Sequence, residues 1–94
     1  MQREEALSVE DNAISFDLRV FPNPTTDILN ISVRGLATDF TANIYSVTGQ
    51  IVRSQRFSGE TNSIEVSNFS NGIYLLEIVN TQNNSRSITR FVKN

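Results

Sequence analysis

Strict apolar–polar alternation in short runs is the feature that most constrains the fold of this chain. In Phe16–Val20, Phe16, Leu18 and Val20 share one face while Asp17 and Arg19 share the other. Leu29, Ile31 and Val33 alternate with Asn30 and Ser32, and Phe40, Ala42 and Ile44 line one side of the next run. Residues 50–57 follow, and then Ile64 and Val66. In Gly72–Asn80, Tyr74, Leu76 and Ile78 lie on one face and Ile73 and Leu75 on the other, which predicts a central, well-covered strand. The last run places Ile88 and Val92 on its inward face. A period of two is the signature of half-buried strands. No stretch of ten or more residues has helical spacing. Turn signals separate the runs at Thr48-Gly49, at residues 58–62, at residues 68–72 and at residues 81–85. The expected fold is all-β: a seven-stranded antiparallel two-sheet sandwich, immunoglobulin-like. Its expected core contains Leu29, Ile31, Ile44, Ile64, Val66, Tyr74, Leu76 and Ile78.

Composition limits the chemistry. The chain has 94 residues, the size of one domain, and contains neither Cys nor His. Disulfides, thiolate metal sites and triads that use an imidazole base are therefore excluded. The carboxylates at Asp27, Asp39, Glu60, Glu65 and Glu77 fall on separate runs with no ligand spacing. No catalytic, cofactor or metal residue is expected. No apolar run is long enough to cross a membrane as a helix. Residues 1–20 hold five acidic residues against two basic ones, while Arg86, Arg90 and Lys93 near the other end face no acid in residues 86–94. With a net charge of −2 and no basic stripe interleaved with aromatics, nucleic acid is not an expected partner.

Two clusters stand apart from this pattern. In Phe21-Pro22-Asn23-Pro24 the prolines cannot donate to a sheet ladder and push the residues before them into extended conformations. Thr25, Thr26 and Asp27 can close the bend on their own backbone. The expected role is a stiff corner where the chain changes sheets. In Phe69–Tyr74, Gly72 is expected to hold a positive φ or to admit a neighbouring backbone. Tyr74 is expected to fill core while its hydroxyl returns to a main-chain group, as in the tyrosine corner of β-sandwiches.

In their order along the chain, these motifs resemble the type A C-terminal sorting domain of the type IX (Por) secretion system. Members of that family typically show a Tyr/Phe-Pro-Asn-Pro opening, an Asp-x-x-Gly-Lys/Arg-Val turn, a Leu-x-x-Gly-x-Tyr signature and a short basic–aliphatic end. Pro22, Asn23 and Pro24 match the opening, and Gly49 with Ile51 and Val52 the turn. Gly72 and Tyr74 match the third motif with Phe69 at its Leu position, and Arg90, Phe91, Val92 and Lys93 match the end. Ser46, Gln50 and Arg90 depart from the usual Asp, Lys/Arg and Lys.

The resemblance implies a non-catalytic secretion signal that folds in the periplasm. Its implied partners are an N-terminal cargo domain in the same chain, the outer-membrane translocon with its shuttle proteins, and a sortase-like cell-surface peptidase. The peptidase would cut before about Ile14. Residues 1–13 are then the polar tail of a preceding cargo and residues 14–94 the sorting domain. The cargo ends at the cell surface or outside a Gram-negative cell, without direct membrane insertion of the domain. Recognition is expected at Arg90, Phe91, Val92, Lys93 and Asn94, through basic side chains and a free sheet edge. Removing Arg90–Asn94 is expected to block export with the fold largely retained. Pro22, Asn23, Pro24, Gly49, Gly72 and Tyr74 are expected to be mainly structural. The alternative reading is an immunoglobulin-like accessory, adhesion or carbohydrate-binding module of a secreted enzyme. It is disfavoured by the absence of Trp and the inward placing of most aromatic rings.

Overall fold

The computed structural model describes residues 17–35, 39–82 and 84–94. The segment expected to precede the domain lies outside them. Among the described residues there are seven strands: β1 (Asp17–Phe21), β2 (Ile28–Arg34), β3 (Phe40–Ser46), β4 (Ile51–Phe57), β5 (Thr61–Glu65), β6 (Gly72–Asn80) and β7 (Arg86–Lys93). They form a three-stranded sheet in the order β1-β2-β5 and a four-stranded sheet in the order β4-β3-β6-β7. Every pairing within the two sheets is antiparallel. The expected sandwich is thus the observed one.

Alternation decides which side chains meet between the sheets. Leu29, Ile31 and Val33 of β2 face Phe40, Ala42 and Ile44 of β3 and Tyr74, Leu76 and Ile78 of β6, and all are buried. Ile64 and Val66 complete the layer, so all eight expected core residues are in place. Leu18 and Val20 pack on it from β1.

The strands are joined by local turn chemistry. Between β3 and β4, the Gly49 amide donates to the Ser46 carbonyl at 2.9 Å and the Ser46 amide to the Gln50 carbonyl at 2.8 Å. Gly49 has φ +92°, so a three-residue loop closes with a glycine in the left-handed region, as the sequence predicts. Beyond it the ladder slips by one residue between Ile44 and Tyr45, a bulge that sets Val52 out of register.

Three expectations fail. The Pro22–Pro24 corner does not change sheets, because β1 and β2 pair within one sheet. β6 is central, but Ile73 and Leu75 on its outer face are exposed rather than covered. On β7 the inward face carries Phe91 and Lys93; Ile88 is 58% exposed and Val92 half-buried. The alternation of β7 is apolar in both registers, and Tyr74 decides between them. Its ring stacks on Phe91 with centroids 5.6 Å apart.

Leu76 is fully buried on β6, an inner strand of the four-stranded sheet. Leu76→Ala is expected to lower unfolding free energy by about 2–5 kcal/mol, measured by urea titration. A loss under about 1 kcal/mol would place Leu76 outside the core.

Candidate functional site

The two prolines remove the main-chain donors at positions 22 and 24, yet this segment lies along the outer edge of β7. Asn23 supplies what the prolines lack. Its Oδ1 accepts from the Val92 amide at 2.9 Å, and its Nδ2 donates to the Arg90 carbonyl at 3.5 Å. The side-chain carboxamide thus stands in for a peptide group, with one acceptor and one donor on the same strand edge. Thr25 continues the contact through its backbone. Its amide donates to the Val92 carbonyl at 2.8 Å, and its carbonyl accepts from the Asn94 amide at 2.9 Å. This is an isolated parallel bridge opposite Lys93. The buried Thr25 hydroxyl donates to the Ile28 carbonyl at 2.6 Å and ties the segment to the start of β2. Both X–Pro bonds, Phe21–Pro22 and Asn23–Pro24, are cis.

Behind this clamp lies a ring cluster. The Tyr74 hydroxyl donates to the Ser70 carbonyl at 2.7 Å, the tyrosine corner expected at the start of this strand. Phe69 packs on Tyr74 at 5.2 Å, and the Arg53 guanidinium stands 5.7 Å from the Phe69 ring centre. Gly72 holds φ +153°, in a region that side chains disfavour. A methyl group there would meet nothing within 4 Å, so conformation rather than close approach calls for glycine. Lys93, paired opposite Gly72, is buried along its stem and donates from Nζ to the Asn94 main-chain oxygen at 3.2 Å.

These pieces share one pole of the sandwich. Lys93 lies between Thr25 and Gly72. Ser46, at the mouth of the Gly49 turn, pairs with Tyr74. β1 begins at the opposite pole, where Asp17 pairs with Arg34. The nine residues of β6 separate the poles by roughly 25–30 Å.

The family described as "Secretion system C-terminal sorting domain" matches this chain over residues 19–94. The chain belongs to that family. The sorting domain is 40% identical over 84 residues to an endo-acting ulvan lyase of Formosa agariphila, covering 85% of this chain and 16% of the lyase. It therefore spans about one sixth of that relative's length. It also superposes on dimeric latent PorU from Porphyromonas gingivalis with a TM-score of 0.63 at 19% identity, over 83% of this chain and 9% of that one. The second likeness establishes a shared fold. Family membership makes the chain a type IX sorting signal, one that works with the secretion machinery and travels with a cargo destined for secretion or the cell surface.

The sorting domain brings Pro22, Asn23 and Pro24 against Arg90–Asn94, and Gly72 and Tyr74 against Phe91 and Lys93. Gly49 lies on a separate turn at the same pole. Of the five terminal residues, Arg90 and Asn94 are exposed, Val92 is half-buried, and Phe91 and Lys93 are buried. The sheet edge expected to be free is closed at its C-terminal half by Asn23 and Thr25. That contact spans 69 residues, and its one sequence signal is an amide-bearing residue between two prolines.

Sequence reasoning also missed Glu77. It lies on the outer face of the four-stranded sheet, yet its side chain is only 8% exposed. Its Oε1 accepts from Tyr45 Oη at 2.9 Å and Asn43 Nδ2 at 3.1 Å, and its Oε2 from Arg86 Nη1 at 3.1 Å. Ser54 donates to Asn43 Oδ1 at 2.7 Å and extends the network to β4. The hydrogen bond to Glu77, then burial, then the carboxylate charge hold the Tyr45 phenol above its ordinary value, and Arg86 offsets part of this.

Two outcomes follow from this geometry. Asn23→Ala removes both side-chain bonds to β7 and should cost about 1 kcal/mol in urea titrations, with unchanged far-ultraviolet dichroism. No loss would mean that the clamp is carried by Thr25 alone. The raised Tyr45 value implies stability that is complete below pH about 10 and is lost as pH rises through the folded-state value. The melting temperature should therefore fall more steeply above pH about 10 in the wild type than in Tyr45→Phe. Parallel curves would contradict the bond to Glu77.

Proposed function

We propose that this domain is a non-catalytic address label that presents its motif pole to the outer-membrane translocon and shuttle proteins while its cargo trails from the opposite pole. The observation that carries this reading is the polarity of the fold. The chain enters β1 at one end, and the opening, turn, tyrosine and C-terminal motifs gather at the other. A label built this way can be read with a bulky cargo attached. Transit passes through the periplasm, with the domain folded. A sortase-like cell-surface peptidase then cuts in the polar stretch before about Ile14. The likeness to an ulvan lyase supports an exported enzyme as the cargo class.

Within the terminal motif, Arg90 and Asn94 are the side chains open to a partner, whereas Phe91 and Lys93 hold the strand. Removing Arg90–Asn94 would take away the ring stacked on Tyr74 and the partners of Asn23 and Thr25, so truncation mixes unfolding with loss of recognition. Substitution separates them. A secreted reporter fused ahead of the domain should reach the surface of a host with a type IX system and be found there without the domain. The same reporter carrying Arg90→Ala and Asn94→Ala should accumulate in the periplasm, with the purified domain melting within a few degrees of wild type. Surface delivery of the doubly substituted fusion would remove these two side chains from the signal. Surface delivery of a reporter lacking the domain would remove the sorting role altogether.

A further inference from the structure

The outer face of the four-stranded sheet is unlike the rest of the surface. Of the eight large apolar side chains that stand exposed among the described residues, Ile51, Val52, Ile73, Leu75 and Ile88 lie on this sheet, and Val47 lies on the turn beside it. The registers place Ile51, Ile73, Leu75 and Ile88 together. Ile51 pairs with Tyr45, Tyr45 with Leu75, and Leu75 with Arg90, so one row crosses all four strands. Ile73 pairs with Val92 on one side of that row, and Glu77 with Ile88 on the other. Scattered exposed aliphatics are ordinary, but a contiguous set across one sheet face marks an interaction surface.

Charge identifies the occupant. The cations on this face are Arg56, Arg86 and Arg90, all exposed. The carboxylate it carries, Glu77, is buried beneath Tyr45, Asn43 and Arg86. What the face shows to solvent is aliphatic surface rimmed by arginine. A second copy apposed through the same face would bring like charges together. A membrane-seated face draws on Trp or Phe and many cations, and neither ring type stands among these residues. We infer that the outer face of the β4-β3-β6-β7 sheet is the docking face for an acidic, apolar-patched protein of the secretion machinery, with Leu75 and Ile88 as its apolar anchors and Arg90 as its charge contact. This rests on the sorting role of the domain and adds the surface by which it is read. Arginine beside aliphatic anchors suits such a role, because it pairs with carboxylates in a fixed geometry and is weakly hydrated.

A photo-cross-linking amino acid at position 88 of the exported fusion, illuminated in living cells, tests the inference. Position 28 on the three-stranded sheet, also an exposed isoleucine, is the control. The expected result is a covalent adduct from position 88 and not from position 28, to a secretion-machinery protein whose contacting surface is acidic. Adding Arg90→Glu should weaken that adduct about thirtyfold, the scale of one interface hot spot. Leu75→Gln, on a purified domain of unchanged dichroism, should lower surface delivery of the fusion by a similar factor. Adducts to a second copy of the domain, adducts to lipid or lipopolysaccharide, or equal adducts from both positions would overturn the docking face. So would delivery of wild-type and Leu75→Gln fusions in equal amount, with the sorting role left intact. Retention of the wild-type fusion would overturn the sorting role and the docking face together.

Discussion

The clamp of the Asn23 carboxamide and the Thr25 main chain on the edge of β7 is the contact that ties the two sheets of this domain together at one pole. The corner that holds Asn23 belongs to the three-stranded sheet, since it joins β1 to β2. The edge that it covers belongs to the four-stranded sheet. Three hydrogen bonds shorter than 3 Å, from Val92 to Asn23, from Thr25 to Val92 and from Asn94 to Thr25, therefore staple the two sheets at one pole. They also close an edge that would otherwise offer unpaired amides and carbonyls to another chain. Proline on both sides of Asn23 is consistent with this duty. It removes competing main-chain donors and limits the paths the chain can take.

From this staple the roles of the terminal residues divide. Phe91 points inward because Tyr74 offers it a stacking partner, and Tyr74 is held by its own bond to Ser70. Lys93 lies along the same inward face opposite Gly72. Arg90, one residue before Phe91, must then point outward, beside Leu75 on the apolar face. The same alternation that builds the core thus aims the surface that a partner can read. On that surface Glu77 acts as an internal knot: a carboxylate that gathers donors from β3 and β7 keeps the outward side chains of three strands in fixed relation.

Much of this is legible in the sequence. Leu29, Ile31, Ile44, Ile64 and Val66 belong to the core because their runs have one polar face and one apolar face, and Tyr74, Leu76 and Ile78 because they share one face of a run that is apolar on both. The Gly49 turn and the Tyr74 corner followed from local chemistry. The register of β7 did not, since Ile88, Phe91 and Val92 place apolar groups on both parities and a distant ring chooses between them. The exposure of Ile73 and Leu75 was equally hidden, because a strand apolar on both faces reads as covered whether its cover is in the same chain or in a partner. The part played by Asn23 depends on a strand 69 positions away and on a side chain behaving as backbone. The order of the motifs revealed the family, but not why its first and last motifs belong together.

Amide hydrogen exchange along β7, followed residue by residue by nuclear magnetic resonance, tests that pairing most directly. The amides of Val92 and Asn94 point to the outer edge and are bonded to Asn23 and Thr25. By the alternation of the strand, those of Ile88 and Arg90 point the same way, beyond the reach of the clamp. Slow exchange at Val92 and Asn94 with fast exchange at Ile88 and Arg90 is the expected pattern, and Asn23→Ala should release Val92 selectively. Equally fast exchange at all four amides in a folded domain would contradict a clamped edge.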